Sequence, residues 1–232
     1  MAGNYDKMQE AARQRFLTFD MEKLRRRLGL PEDPAGIRIR FLGEPYLVRR
    51  SDGEVLNAAG ERASFEAAMS IYDLLGRTGA APVLTGRFVP TMELHHIMGA
   101  NSVHEDLGSR DAAFFSGREE ALAAACRARG GVPGSRGDLS FVLPVFDDLF
   151  PLELRYWAAD EEFPAQLQFF WDANALDFLR YETLWYVSAA LKAALRRDTE
   201  AGEKEKVKGK RGREMVKAIP HKECAMKRNV IN

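Results

Sequence analysis

The chain has 232 residues, 46% of them hydrophobic and 29% charged, with 34 basic side chains against 34 acidic ones and two cysteines. That composition is ordinary for a soluble globular protein and excludes a disulfide scaffold. A domain near this size buries roughly 70% of the surface its unfolded chain exposes, so it folds without metal or cross-link.

In chain order, Tyr5 to Leu17 places Tyr5, Met8, Ala12 and Phe16 at helical intervals. Thr18-Phe19-Asp20 interrupts the pattern, and Asp20 is expected to cap a second helix carrying Met21, Leu24 and Leu28, which Gly29 and Pro31 end. Ile37 to Phe41 alternates strictly, Gly43-Glu44-Pro45 turns, Tyr46 to Val48 returns, and Ser51-Asp52-Gly53 turns again before Val55-Leu56. This is a small β-meander. Ser64 opens a helix whose Phe65, Ala68, Met69, Tyr72 and Leu75 share a face, ending near Gly79. A loop with Pro82, Gly86 and Pro90 follows, and Thr91 is expected to cap a short helix through Ile97. Ser116 and Glu119 have capping-box spacing for an alanine-rich helix to Arg129, closed by Gly130-Gly131.

Leu139 to Phe146, Leu152 to Trp157 and Gln166 to Trp171 alternate apolar and polar positions, which reads as three strands of an antiparallel sheet with one face on a core. Leu154 and Phe169 are expected to point inward and Glu153 outward. Tyr181 to Leu195 is a final helix with Leu184, Val187, Leu191 and Leu195 on one side. Helices interleaved with two antiparallel strand groups, the N-terminal meander and the three C-terminal strands, give the α+β class.

From Asp198 to Asn232 there are 10 Lys and Arg against 6 Asp and Glu, and no Phe, Tyr or Trp. The expectation is a single domain over 1–197 followed by a disordered basic tail over 198–232. Without aromatic platforms the tail does not read as a nucleic-acid binder. The N-terminus has no apolar signal region, and no stretch approaches the roughly 18 apolar residues of a membrane span. With so few cysteines, a reducing compartment and hence the cytoplasm is expected.

No nucleotide loop, nucleophile elbow, cysteine cluster or paired-histidine zinc helix is present. Weaker constellations remain. Asp160, Glu161, Glu162, Asp172, Asp177 and Glu182 cluster at strand ends and at the start of the last helix. A strand of roughly 20 Å separates Asp160 to Glu162 from Asp172, which argues against a carboxylate dyad. Asp172-x-Asn174-x-x-Asp177 resembles part of a calcium loop but lacks its glycine and terminal glutamate. The same residues suit turns and caps. A ligand site is expected where Asp172, Asn174 and Glu182 bring acceptors beside the ring of Trp171. Glu93, His95, His96, His104 and Glu105 form the histidine cluster, and three imidazoles such as His95, His96 and His104 could hold a metal and leave a position open. Adjacent histidines on a helix diverge by about 100°, however, and surface histidines give the same pattern. Tyr156, Trp157, Phe169, Phe170 and Trp171 suit either a ligand wall or core.

Phe41-Leu42-Gly43 with Pro45-Tyr46, Asp52-Gly53-Glu54-Val55, Asp160 to Pro164, and Trp171 to Ala175 with Phe178-Leu179 together resemble a prokaryotic family catalogued as domain of unknown function 3786. The resemblance runs from about Tyr5 to about Leu195. It implies no established activity. Relatives are typical of anaerobic bacteria and archaea, and some look fused to a cysteine-rich iron–sulfur segment, for which the two cysteines here give no match. Relatives tend to start the last helix with Pro-Thr-Glu-Asp; at Leu179-Arg180-Tyr181-Glu182 only Glu182 matches. The expected function is a cytoplasmic binding or accessory module for a partner protein or small ligand, with no cofactor assigned. The alternative is a metal-assisted hydrolase or transferase built on the histidine loop of residues 92–105.

Overall fold

The structure, a computed structural model, describes residues 3–31, 33–78, 82–94 and 109–217, with side chains in the last stretch described for 111–205. Helices α1 (Asn4–Leu17) and α2 (Met21–Leu28) form where their periodicity places them. The Asp20 carboxylate accepts from Lys23 N at 3.0 Å, and Gly29 ends α2 at φ +64°, a left-handed conformation that glycine adopts without steric cost. Strands β1 (Gly36–Phe41), β2 (Glu44–Arg49) and β3 (Val55–Leu56) form the antiparallel meander, with Ile39 opposite Tyr46 and Val48 opposite Val55. Ser64 caps α3 (Phe65–Arg77), whose Ala68, Ile71, Leu74 and Leu75 are fully buried.

The second sheet has five antiparallel strands in the order β4-β8-β7-β6-β5. The three central strands are those the alternation predicts: β6 (Leu139–Pro144), β7 (Pro151–Trp157) and β8 (Gln166–Asp172). Edge strands β4 (Phe88–Pro90) and β5 (Val132–Pro133) are three and two residues long, too short to show a period. Helices α4 (Ser109–Phe115), α5 (Glu119–Ala128), α6 (Ala175–Phe178) and α7 (Tyr181–Lys217) complete the described elements, an α+β protein. Helix α3 packs between α1 and α7, and α5 lies on both α7 and β6.

Four local expectations are corrected. Thr91 opens a single 3-10 turn, Thr91–Glu93, after β4, and Ile97 lies outside the described residues. Ser116 does not cap α5, because Arg118 precedes its first residue; the Ser116 hydroxyl lies 3.4 Å from that of Tyr156, and Glu119 accepts from Gly117 N at 2.9 Å. Glu153 is not on a solvated face: it is 6% exposed and pairs at 2.6 Å with Arg155, whose guanidinium lies 3.6 Å from the Phe170 ring centre. Leu154 points inward opposite Phe169, as the alternation requires.

The fourth correction is the tail. Asp198 does not begin a disordered segment; α7 continues through it to Lys217. Composition misleads here because one buried cation recruits the segment. The Arg129 guanidinium, at the end of α5, donates to Asp198 Oδ2 at 2.7 Å and to the Leu42 carbonyl at 2.7 Å, and reaches Glu44 Oε1 at 3.3 Å. Thr199 is 1% exposed, and Glu203 pairs with Arg118 at 3.3 Å. Residues 218–232 lie outside the described residues.

Removing one partner of a charge-assisted hydrogen bond to a buried guanidinium costs about 2 kcal/mol. Asp198→Ala should therefore lower the melting temperature by about 4–8 °C for a domain of this size. A chain ended after Arg197 should lose at least as much in the same thermal scan.

Candidate functional site

Between α1, α3 and α7 runs a half-open groove of about 520 Å³. Two of its walls follow one rule. Met8, Ala11, Ala12 and Arg15 on α1, and Met69, Tyr72, Asp73 and Gly76 on α3, are each spaced i, i+3, i+4, i+7, so each set forms a single helical stripe. Phe19, from the turn after α1, and Arg180, Glu182, Thr183 and Tyr186, at the start of α7, complete the lining. The small residues let the walls approach. At Gly76 an added Cβ would lie 3.0 Å from the Phe19 ring, so alanine there would push the ring out of place.

The polar groups on the groove floor are already engaged. Asp73 Oδ2 accepts from Arg180 N at 2.6 Å and from the Thr183 hydroxyl at 2.8 Å, and Oδ1 pairs with Arg180 Nε at 3.1 Å. The Tyr72 hydroxyl donates to the Gly53 carbonyl at 2.6 Å. Burial, with the Glu54 carboxylate nearby, raises its pKa, which keeps the donor protonated. Burial raises that of Tyr186 as well, helped by Tyr5 and Glu182. The rims differ. Arg15, in the last turn of α1, and Glu182, in the first turn of α7, have neither hydrogen bond nor ion pair to their side chains among the described residues. Helix dipoles favour each charge where it stands without using its hydrogen-bonding capacity.

The residues expected to form a ligand site divide into two groups. Trp171, Asp172 and Asn174 converge at the end of β8 on the segment leading into β4. Asp172 is fully buried and accepts from Thr85 N at 3.1 Å, Thr85 Oγ1 at 3.0 Å, Gly86 N at 2.8 Å and Asn174 N at 2.9 Å. Asn174 Nδ2 donates to the Val83 carbonyl at 3.0 Å, and Trp171 Nε1 to Thr91 Oγ1 at 3.1 Å. These contacts strap an otherwise irregular segment to the sheet. Glu182 alone of the four lines the groove. Tyr156 and Trp171 are fully buried in the core, Phe169 packs against it half-buried, and Trp157 at the end of β7 is half-buried. The turn at Asp160, which accepts from Glu162 N and Phe163 N, lies at the other end of β8 from Asp172.

His95, His96, His104 and Glu105 lie outside the described residues. Among the described residues no group of three or more His, Cys, Asp or Glu side chains could hold a metal ion. Cys126 is fully buried, and burial pushes its thiol up to about 12, so it stays protonated and unreactive at neutral pH.

Sequence reasoning missed Arg15, Gly76 and the groove as a whole. Met8, Ala12, Met69 and Tyr72 were legible as apolar helix faces, but a helical stripe looks the same whether it meets core or an open trough.

Two antiparallel sheets with their helices, among which α1, α3 and α7 border a groove, define an α+β protein. The chain belongs to the family described as Domain of unknown function (DUF3786), which it matches over residues 20–193. Comparison with curated proteins and with solved structures gave no match. No helix among the described residues is long and apolar enough to cross a membrane.

An amide at position 172 would turn an NH2 toward donors that now meet a carboxylate oxygen. Asp172→Asn should cost about 2–3 kcal/mol in chemical denaturation. Millimolar calcium should shift the unfolding midpoint of neither wild type nor variant; a calcium-dependent gain in wild type alone would make Asp172 a cation ligand instead of a strap.

Proposed function

We propose that the protein is a soluble, cytoplasmic binding module without catalysis of its own, and that its ligand occupies the groove between α1, α3 and α7. One observation carries this reading: Met8, Met69, Phe19 and Tyr72 line one concave surface together with Arg15 and Glu182, side chains of opposite charge that make no hydrogen bond or ion pair among the described residues. A folded surface leaves scattered apolar atoms in water as a matter of course. A continuous concave one lined by Met8, Met69, Phe19 and Tyr72 is the usual setting of a binding site, where a few polar groups orient the ligand. Its volume also falls in the range of known ligand sites, about 300–1,000 Å³. Three other polar groups of the lining, Asp73, Thr183 and Tyr72, are satisfied internally, so Arg15 and Glu182, unpaired among the described residues, are the charges left for a ligand to meet.

Anilinonaphthalene sulfonate, an aromatic anion, suits both the floor and Arg15. Wild type should bind it saturably at one site with a rise in fluorescence. Ala11→Trp, which fills the groove from an exposed position on α1, should abolish binding with the melting temperature nearly unchanged. Arg15→Ala should weaken it about threefold to fivefold, the scale of one exposed ion pair. Equal binding by wild type and Ala11→Trp would move the site elsewhere.

A further inference from the structure

We propose that the far end of α7 is a docking surface for the phosphate backbone of a nucleic-acid duplex. The observation that carries this is the helix itself. A disordered tail of the same composition has no fixed array of charges, whereas α7 runs unbroken to Lys217 and sets its basic residues in register.

Lys206, Lys210, Arg213 and Lys217 recur at i, i+4, i+7 and i+11. At about 100° and 1.5 Å per residue they fall within about 60° of arc, on one line about 17 Å long. From Lys206 to Arg213 there are five basic residues and no acidic one, and from Lys206 to Lys217 six basic residues against Glu214 alone. A helix that is merely solvated alternates its signs, so that neighbours at i, i+4 attract. Here Lys204 and Lys208, and Lys206 and Lys210, are like charges at that spacing, a cost that a bound polyanion removes.

The basic residues earlier in α7 are already engaged. Lys192 and Arg196 each pair with Asp111 at 3.0 Å, and Arg197 with Glu44 at 2.8 Å. The pair of Glu203 with Arg118, at 3.3 Å, is the last such contact along the helix among the described side chains. From Glu203 to Lys217 the helix continues for about 21 Å.

The class of partner follows from charge density and from the residue types that are missing. A duplex carries one negative charge per about 1.7 Å of its axis, so each cation of the line can meet a phosphate. Phe, Tyr and Trp are absent after Tyr186. That excludes stacking on the bases of a single strand, while contact with a duplex backbone needs no ring. An anionic membrane surface calls for an apolar face opposite the charges. Between Lys204 and Lys217 the large apolar residues are Val207, Met215 and Val216, which do not fall on one line of the helix.

Anisotropy of a fluorescein-labelled duplex titrated with the full chain tests this. Wild type should bind with micromolar affinity in about 20 mM salt, and doubling the salt should weaken binding about twelvefold, the dependence expected of four phosphate contacts. Two triple variants remove equal charge from the two faces of the helix. Lys206→Gln, Lys210→Gln, Arg213→Gln should lose at least about a hundredfold in affinity and most of the salt dependence. Lys204→Gln, Lys208→Gln, Arg211→Gln, on the other face, should stay within about threefold of wild type, and neither variant should shift the melting temperature. DNA and RNA duplexes of one sequence should both show this salt dependence, and the tighter of the two identifies the source of the phosphates. No binding to either duplex in low salt, or equal losses from the two variants, overturns the proposal. So does binding to phosphatidylserine vesicles with neither duplex bound.

Discussion

The carboxylate of Asp73, with its side chain 8% exposed, joins the start of α7 to the middle of α3. In a capping box the helix's own third residue reaches back to the N-cap amide. Here α3 supplies the acid. It takes the Arg180 amide, the Thr183 hydroxyl and the Arg180 guanidinium together, so one group specifies both where α7 begins and what it packs against. Without it, a buried hydroxyl and a helix-terminal N–H would lose their acceptor, at about 1–3 kcal/mol for each group left unsatisfied. The position of Glu182 and Tyr186 along the groove follows from this contact.

A second buried charge holds α7 farther along, beyond the groove. Arg129 binds Asp198, about 27 Å along α7 from Arg180, and ties it to the tip of the meander through Leu42 and Glu44. Between the two anchors Leu184, Val187, Leu191 and Leu195 are buried, each contributing about 1.5–3 kcal/mol of apolar burial. One wall of the groove is therefore firmly placed. The facing helix is less enclosed: Phe16 is its only buried side chain, while Tyr5, Met8 and Leu17 are exposed. The free energy to be gained by covering apolar surface thus lies mainly on the α1 side.

Much of the fold was legible, because alternation and helical periodicity survive in the sequence wherever an element is long. The meander, the three central strands, α1, α2, α3 and the start of α7 all followed from spacing and caps. Elements of two to four residues, β4, β5 and α6, carry no period and were not. The far half of α7 was hidden for another reason: its composition is that of a solvated tail, and the contacts that hold Asp198 and Thr199 come from residues remote in sequence. The site was less legible than the fold. Asp172 and Asn174 attracted attention as acceptors, yet nothing local tells a carboxylate that meets a ligand from one that meets Thr85 and Gly86 across 86 or more positions. Glu182 lines the groove, whereas the sequence singled it out for its proximity to Asp172, which is not among the groove's lining residues. Asp73 carries no local signal of its role because its partners lie 107 and 110 residues away.

Hydrogen exchange on Asp73→Ala addresses the central dependence most directly. If Asp73 seats α7 and thereby forms the groove, amides from Arg180 to Tyr186 should lose protection. Dye binding in the groove should fall with them, while the amides of β6, β7 and β8 keep their wild-type rates. Unchanged protection at the start of α7, with dye binding intact, would show that the helix and its groove are set by other contacts.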